Sequence, residues 1–587
     1  MKRHYCGLID SEYVNETVTL NGWVNTRRDH GGVIFIDLRD HTGLVQAVFN
    51  PDVKDIFETA QSIRSEYVLE LTGVIAKRKE GTNNPDMATG NIELIVEKVD
   101  ILNISQTTPF KVNDNSINED LRLQYRYIDL RSTEMQNNLR FRSKLYSVIR
   151  NHLSEIDFNE IETPILTKPT PEGARDYIVP SRVHKGSFFA LPQSPQLFKQ
   201  MLMMSGFDKY YQIAKCFRDE DLRADRQPEF TQLDIECAFF NEDQIMELSE
   251  SLMKKIFKSL IDDKISLTFP RITFKEAILK FGCDKPDLRN PLFLVDIANY
   301  LQSTEFKVFK DCVDSPNSRI AALKVPGGLK LTRKNIDEYT DLVKTFGAKG
   351  LAYLKIENIE DIDTGINSPI KKFLTNDEIA NILTSVDASD GDLIFFSADK
   401  SDVVNNSMSA LITRIGNDLE LISDGYKFAW IVDYPMFEYE KGTKKLTSLH
   451  HPFTSPSGTC TEYDDTTLSR AYDLTLNGNE IGGGSVRIHD KSTQLKVFKA
   501  LNLSDEEIQS KFGFFIESLG FGCPPHAGIA FGLDRIVMLL RNLSSIRDTI
   551  AFPKTQSASC LLTNAPSEVE VERLDELGIK VDLPKEF

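Results

Sequence analysis

No apolar run in this 587-residue chain approaches the roughly 18 residues that a membrane-spanning helix needs, so no membrane span is expected. The opening MKRHYCGLIDSEYVNETV turns polar before a signal-peptide core can form, and a cytoplasmic location is expected. Paired cysteines are also missing. The eight cysteines, at positions 6, 216, 237, 283, 312, 460, 523 and 560, form no C-x-x-C, which argues against a zinc knuckle and for free thiols. Positive charge is in deficit: the formal net charge of −18 argues against nucleic-acid binding by the whole surface but leaves room for a local basic patch. What is present is ordinary for a folded protein, 41% hydrophobic and 27% charged, and the length suggests several domains.

The first hundred residues read as short strands. TVTLNGWV (17–24) alternates around Trp23, GVIFIDLRD (32–40) follows a Gly31-Gly32 turn, and GLVQAVFN (43–50) opens on Gly43. DVKDIFETAQSI (52–63) has helical spacing, and YVLELTGVIAKR (67–78) and NIELIVEKVDIL (91–102) give two more strands. Three strands, a helix and two strands is the order of an OB-fold barrel, with some other small β-domain as the alternative. The loops that bind oligonucleotides in such barrels are here NTRRDHGG (25–32) and AKRKEGTNNPDMATG (76–90), which carry Arg27-Arg28 and Lys77-Arg78-Lys79. Phe35, between them, is either core or a stacking platform for a base.

The predicted organisation is α+β: a barrel at 1–107, a hinge at 108–135, one half of a second domain at 136–287, an insertion at 288–423, its other half at 424–554 and an extension at 555–587. Residues 107–120 are polar and aperiodic, which suits a hinge. MQNNLRFRSKLYSVIRNHLSEIDF (135–158) has long amphipathic spacing, and NEIETPIL (159–166) reads as a strand ending near Pro164. Between 288 and 423, SRIAALKVPGG, LAYLKIE and GDLIFFSAD read as strands alternating with helical stretches such as KNIDEYTDLVKTFGA. The segments on either side share one chemistry, hence the reading as an insertion.

That chemistry is a density of mixed charge. CFRDEDLRADRQPEF (216–230) sets three arginines among five carboxylates, a pattern suited either to a solvated loop or to a ligand carrying both signs of charge. PTPEGARDY (169–177), LPQSPQLFKQ (191–200), SLHHPFT (448–454), RAYDLTLNGNEIGGGSVRIH (470–489) and GIAFGLDR (528–535) are similarly polar. Each is weak alone. A triple glycine is more often a bulge than a nucleotide site, and adjacent histidines on a strand face opposite ways and chelate one ion poorly.

In order and together, Pro164 after a long helix, Phe217-Arg218-Asp219-Glu220, and Gly528 to Gly532-Leu533-Asp534-Arg535 resemble the three signature motifs of class II aminoacyl-tRNA synthetases. PEGARDY, QSPQLFKQ, RQPEFTQLDIE, HHPFTSP and NEIGGGSVRIH are similar to the aspartate-charging subgroup, and the insertion to its bacterial type. The resemblance implies an OB-fold anticodon-binding domain, an antiparallel-sheet catalytic domain, ATP as substrate with Mg²⁺, and a homodimer. It implies catalytic roles for Arg218 and Arg535, and ATP contacts from Arg218, Asp219, Glu220, Gln227, Glu480, Gly532, Leu533, Asp534 and Arg535. Asp473 and Glu480 are hard donors suited to Mg²⁺. For aspartate it implies Arg487 and Lys199 opposite the side-chain carboxylate and Asp234 and Glu172 at the α-ammonium. Arg218, Ser194, Gln196 and His450 complete that pocket. An asparagine amide would leave a buried cation unpaired, so no editing site is needed.

The partners implied are tRNA(Asp) and, on one feature, tRNA(Asn). Arg28, Phe35, Gln46, Arg78 and Glu93 are the expected anticodon contacts, and of these Phe35, Gln46 and Glu93 match the family's anticodon-reading positions. The two loop tips carry His30 and Gly81, which either merely shape turns, leaving a strictly discriminating enzyme, or mark a chain that resembles the relaxed, non-discriminating branch. Such an enzyme needs a tRNA-dependent amidotransferase downstream.

Overall fold

The computed structural model describes residues 4–114, 116–169, 173–440, 442–443, 445–458 and 462–582. Contacts divide the chain into two compact units, one of residues 1–141 with 547–568, the other of 142–546 with 569–587. No helix among the described residues is long and apolar enough to cross a membrane.

In the first unit, strands Thr17–His30, Val33–Arg39, Leu44–Phe49, Val68–Lys77 and Ile92–Asn103 close into a barrel in which the first strand pairs with both the second and the fourth. Alternation drives it: Val18, Leu20 and Val24, then Ile34, Ile36 and Leu38, point into one apolar core while their neighbours face out. Helix Lys54–Ser62 lies between the third and fourth strands, the order read from sequence. The aperiodic stretch 107–120 is not irregular throughout. Asn118 caps helix Glu119–Gln124 by accepting from the Asp120 N–H. Arg126, buried just beyond, donates to the carbonyls of Arg547, Ile550 and Ala551, which ties 547–551 into this unit.

The second unit contains an eight-stranded sheet in the order Arg271–Thr273, Phe428–Val432, Ala471–Leu476, Asn479–Val486, His526–Gly532, Glu229–Ala238, Lys209–Phe217, Asn159–Glu160. It is antiparallel except at its two edges, where Arg271–Thr273 and Asn159–Glu160 pair parallel. The strand expected over 159–166 is shorter than its sequence suggests: one bond from the Ile161 N–H to the Tyr211 carbonyl ends the ladder before Pro164, which has no N–H to continue it. Helix Glu242–Leu260 starts from a capping box made by Asn241 and Gln244 and buries Ile245, Leu252 and Ile256.

A five-stranded sheet of Leu294–Asp296, Ser318–Val325, Leu393–Lys400, Ala352–Ile356 and Ile366–Asn367 lies in the same unit. Period-two alternation divides its strands between two cores. Ala321, Leu323, Leu393 and Phe395 pack with helices Arg333–Thr345 and Ser401–Asp418; Ile320, Ala322, Ile394 and Phe396 pack with Lys307–Val313 and Asn376–Ser385.

Candidate active site

The central strands of the eight-stranded sheet bring the polar segments together. Gln232, Asp234 and Glu236 sit at alternate positions of Glu229–Ala238 and so share a face. Asp473 comes from Ala471–Leu476 and Glu480 from Asn479–Val486, while Arg487 follows that strand directly. Helix Gln196–Met204 presents Gln196 and Lys199 from one turn. Two cavities result, of about 440 and 390 Å³, with Arg218, Gln232, Glu480 and Ala530 in the walls of both.

The smaller cavity holds a buried quartet of charge. Lys199 Nζ lies 3.1 Å from Asp234 Oδ1 and 3.3 Å from Glu236 Oε2. Arg487 grips Glu236 in a two-pronged pair, Nε to Oε1 at 2.9 Å and Nη2 to Oε2 at 3.1 Å. Its third nitrogen, Nη1, meets neutral partners, the Ser485 hydroxyl at 2.6 Å and His451 Nε2 at 2.7 Å. Burial holds the His451 imidazole well below its ordinary range, with the Arg487 charge adding to it, so the ring is neutral. Burial alone would push the Glu236 carboxyl up; the Arg487 and Lys199 charges outweigh it and hold it at about 2. Asp234 goes the other way: burial raises it and Lys199 offsets that only in part. Asp234 Oδ2 has no hydrogen-bond partner among the described residues.

Glu236 fits because its cross-strand neighbour is Gly528. A Cβ at Gly528 would stand 2.0 Å from Glu236 Oε2. The triple glycine serves the same end at the neighbouring carboxylates. A Cβ at Gly483 would fall 2.6 Å from Asp473 Oδ1 and 3.8 Å from Glu480 Oε1, so a bare backbone leaves both oxygens facing one open point. Asp473 Oδ2 accepts from the Tyr434 hydroxyl at 2.9 Å. Its Oδ1 is buried without a well-aligned hydrogen bond among the described residues, and His450 Nε2 stands 3.4 Å away. Burial lifts the Glu480 carboxyl above its usual range, with the Asp473 charge adding. Two hard oxygens, one orphaned, beside an open point fit a divalent cation that draws its remaining ligands from a polyphosphate. No cluster of three or more metal-ligating side chains occurs among the described residues, so the protein alone does not complete such a shell.

The larger cavity is lined by Arg218, Glu220, Gln227, Phe230, Gly532 and Arg535, among others. Arg218 lies with its guanidinium 5.0 Å from the Phe230 ring centroid and makes no ion pair among the described residues, so its donors are available to an anion. Glu220 accepts from Arg226 at 2.8 Å. Arg535 is not held open in the same way: Nη2 bonds Asp225 Oδ2 at 3.1 Å and Nη1 donates to the Glu480 carbonyl.

Three expected nucleotide contacts stand apart. Leu533 is fully buried and lines neither cavity, because it is the first residue of helix Leu533–Leu540 and turns into the core. Asp534 borders the larger cavity, but its carboxylate is committed to Arg142 and the Thr231 N–H. Asp219 is exposed and its N–H bonds the Arg175 carbonyl, outside both walls. Ser194, Gln196, Lys199, Asp234, His450 and Arg487 all line the smaller cavity. Glu172 lies outside the described residues.

Sequence reasoning missed Glu236, His451 and Asp284, which also border the smaller cavity or, for Glu236, pair within it. Glu236 carries a legible signal, since it lies two residues after Asp234 on one strand face. From sequence, His450 is kept for the pocket but His451 is not, since adjacent residues of a strand would face opposite ways. The pair instead lies in a bend, so both rings reach one cavity with different partners.

On the barrel, Arg28, His30, Phe35, Gln46, Arg78 and Glu93 line a single cavity of about 540 Å³. Phe35 is half-buried between fully buried Ile34 and Ile36, so it faces this cavity and is not core. A chain of bonds runs from Arg28 Nη2 to Gln46 Oε1 at 3.2 Å and from Gln46 Nε2 to Glu93 Oε2 at 2.9 Å. Gly81 does not line the cavity; it turns at φ 80° with no atom within 4 Å of where a Cβ would stand.

A family model described as tRNA synthetases class II (D, K and N) matches residues 118–556, and one described as OB-fold nucleic acid binding domain matches 18–102. Aspartate–tRNA(Asp/Asn) ligases of Legionella pneumophila, strains Corby and Paris, are each 53% identical over 586 residues, 99% of both chains. Among solved structures, asparaginyl-tRNA synthetase from Pyrococcus horikoshii complexed with asparaginyl-adenylate aligns with TM-score 0.59 at 20% identity, covering 94% of this chain and 98% of that one. Aspartyl tRNA synthetase from Entamoeba histolytica aligns with TM-score 0.56 at 18% identity, covering 94% and 91%. With the barrel, the antiparallel sheet and the paired cavities in place, the chain belongs to the class II tRNA synthetases of the D, K and N group, ATP-using ligases.

Proposed function

We propose that this enzyme activates L-aspartate with ATP and transfers the aspartyl group to the 3′ end of both tRNA(Asp) and tRNA(Asn). The observation that carries the choice of amino acid is the buried Lys199–Asp234–Glu236–Arg487 quartet. Arg487 Nη1 meets only neutral groups, so a substrate carboxylate can take their place and gain a charged partner. The asparagine amide offers an N–H₂ to the same donors and leaves them unpaired in a dry site. A lysine side chain would meet two cations. The orphaned Asp234 Oδ2 is an acceptor for the α-ammonium group, together with Glu172, Ser194 and Gln196.

In the first step the aspartate α-carboxylate oxygen attacks the ATP α-phosphorus, and the bond to the bridging oxygen breaks to release pyrophosphate. Arg218, in the wall of both cavities, spans the two reactants and stabilises the charge that builds on the α-phosphate. Glu220 and Gln227 hold the adenosine end, and Arg535 reaches the phosphates by exchanging its Asp225 partner. Asp473 and Glu480 would hold Mg²⁺, which supplies charge neutralisation on the polyphosphate. In the second step a hydroxyl of the terminal ribose of tRNA attacks the adenylate carbonyl and AMP leaves. Neither step needs a protein nucleophile.

On the barrel Phe35 stacks a base while Gln46 and Glu93 bond base edges. His30 and the unfilled space at Gly81 admit either base at the position where the two anticodons differ, and the 53% identity to aspartate–tRNA(Asp/Asn) ligases supports this. The Asp-tRNA(Asn) product then requires an amidotransferase. The enzyme acts as a homodimer. An ATP–pyrophosphate exchange assay with aspartate, asparagine and lysine tests the reading: only aspartate supports exchange, and exchange driven by either of the others at a comparable rate refutes it.

A further inference from the structure

The five-stranded sheet opens into a cavity unrelated to the aminoacylation site. Strand Leu393–Lys400 pairs along its whole length with Ser318–Val325, from Val325↔Leu393 to Ser318↔Lys400. On its other side it pairs with Ala352–Ile356 only as far as Ala352↔Phe396. Beyond Phe396 the sheet parts, residues 348–351 turn aside, and helix Lys307–Val313 covers the gap. The resulting cavity measures about 510 Å³, within the range of small-molecule sites.

Its chemistry has two parts. The floor is apolar: Phe309 and Phe396, with ring centroids 6.1 Å apart, lie with Ala352, Ala398 and Ile370. The rim carries two cations and two anions, Lys349, Lys400, Asp311 and Asp399. Lys349 lies 3.8 Å from Asp399, and the Lys400 N–H bonds Asp399 Oδ1. That leaves the Asp311 carboxylate and the Lys400 ammonium without an ion pair among the described residues. The Cys312 thiol sits inside this ring: burial raises it, and the Asp399 and Asp311 charges oppose its ionisation while Lys349 favours it.

We infer that this cavity is a binding site for a zwitterionic α-amino acid with an aromatic or branched apolar side chain. One unpaired anion and one unpaired cation at the rim match an ammonium and a carboxylate, and the aromatic floor matches an apolar side chain. Aspartate is a poor fit, since its second carboxylate would be buried on that floor. The site is separate in lining from the aminoacylation cavities and owes nothing to their residues.

Cys312 reports occupancy. The intact protein is alkylated with iodoacetamide, and labelling of Cys312, Cys283 and Cys523 is followed by peptide mass spectrometry with L-phenylalanine, L-leucine, L-aspartate or the uncharged N-acetyl-L-phenylalaninamide. L-Phenylalanine or L-leucine at about ten times its dissociation constant should slow Cys312 labelling about tenfold by mass action and leave the other two thiols unchanged. Equilibrium dialysis of labelled L-phenylalanine should give one molecule per chain, lost in Lys400→Met with Asp311→Asn while aspartate activation is retained. Equal protection by aspartate or by the uncharged derivative, no binding of either apolar amino acid by dialysis, or undiminished binding to the double variant would overturn the inference.

Discussion

Replacing Glu236 with glutamine tests whether the quartet is an electrostatic unit. Glu236 is fully buried, and its carboxyl is held at about 2 against an ordinary 4.5. A difference of that size corresponds to about 3 kcal/mol of stability, at about 1.4 kcal/mol per tenfold change. Removing the charge also leaves Arg487 with neutral partners and Lys199 with Asp234 alone, and breaking a buried pair costs on the order of 3–5 kcal/mol. The sign follows from the depressed value. The stabilisation is complete above the ordinary carboxyl range and is lost as pH falls through about 2, so the gap between wild type and Glu236→Gln should shrink in acid. Asp234 provides the contrast. Its carboxyl is raised by burial, so its charge opposes folding at neutral pH, and Asp234→Asn should cost far less than Glu236→Gln. Urea denaturation of the transition that melts the eight-stranded sheet, near neutral pH and again below about pH 4.5, reads all three quantities. A Glu236→Gln protein as stable as wild type near neutral pH, or a deficit that does not narrow in acid, would refute the reasoning.

Three further outcomes follow from the same geometry. Arg487→Gln and Lys199→Met should each abolish aspartate-dependent pyrophosphate exchange while ATP binding, read by equilibrium dialysis, stays close to wild type. Gly483→Ala places a methyl 2.6 Å from Asp473 Oδ1, so exchange should fall sharply with the circular dichroism spectrum unchanged. Phe35→Ala should weaken tRNA binding by about 1–3 kcal/mol in a filter-binding assay and leave adenylate formation untouched.

The barrel was legible because each strand alternates cleanly and the turns are marked by glycine, as at Gly31-Gly32 and Gly43. That Ser194, Gln196, Lys199, Asp234, His450 and Arg487 come together in one cavity was legible because they sit in short polar runs that no apolar core would carry. What could not be read was partnership across the sheet. Asp534 and Arg535 both border the larger cavity, yet the Asp534 carboxylate is pinned by Arg142, 392 residues away in sequence, and Arg535 is held by Asp225 and the Glu480 carbonyl. Leu533 sits in the same run and turns into the core because a helix begins there. Glu236 was passed over because its role depends on Arg487 and Gly528 arriving from strands far along the chain. The short strand at Asn159–Glu160 reflects a similar limit: where a ladder ends is decided by its neighbour.

The most direct measurement is charging of purified tRNA(Asp) and tRNA(Asn) with labelled aspartate, in wild type and in His30→Leu with Gly81→Lys. Wild type should aspartylate both tRNAs, and the double variant should lose tRNA(Asn) while keeping tRNA(Asp). Failure to charge tRNA(Asp), or a wild-type preference for it of several hundredfold or more, would contradict the account.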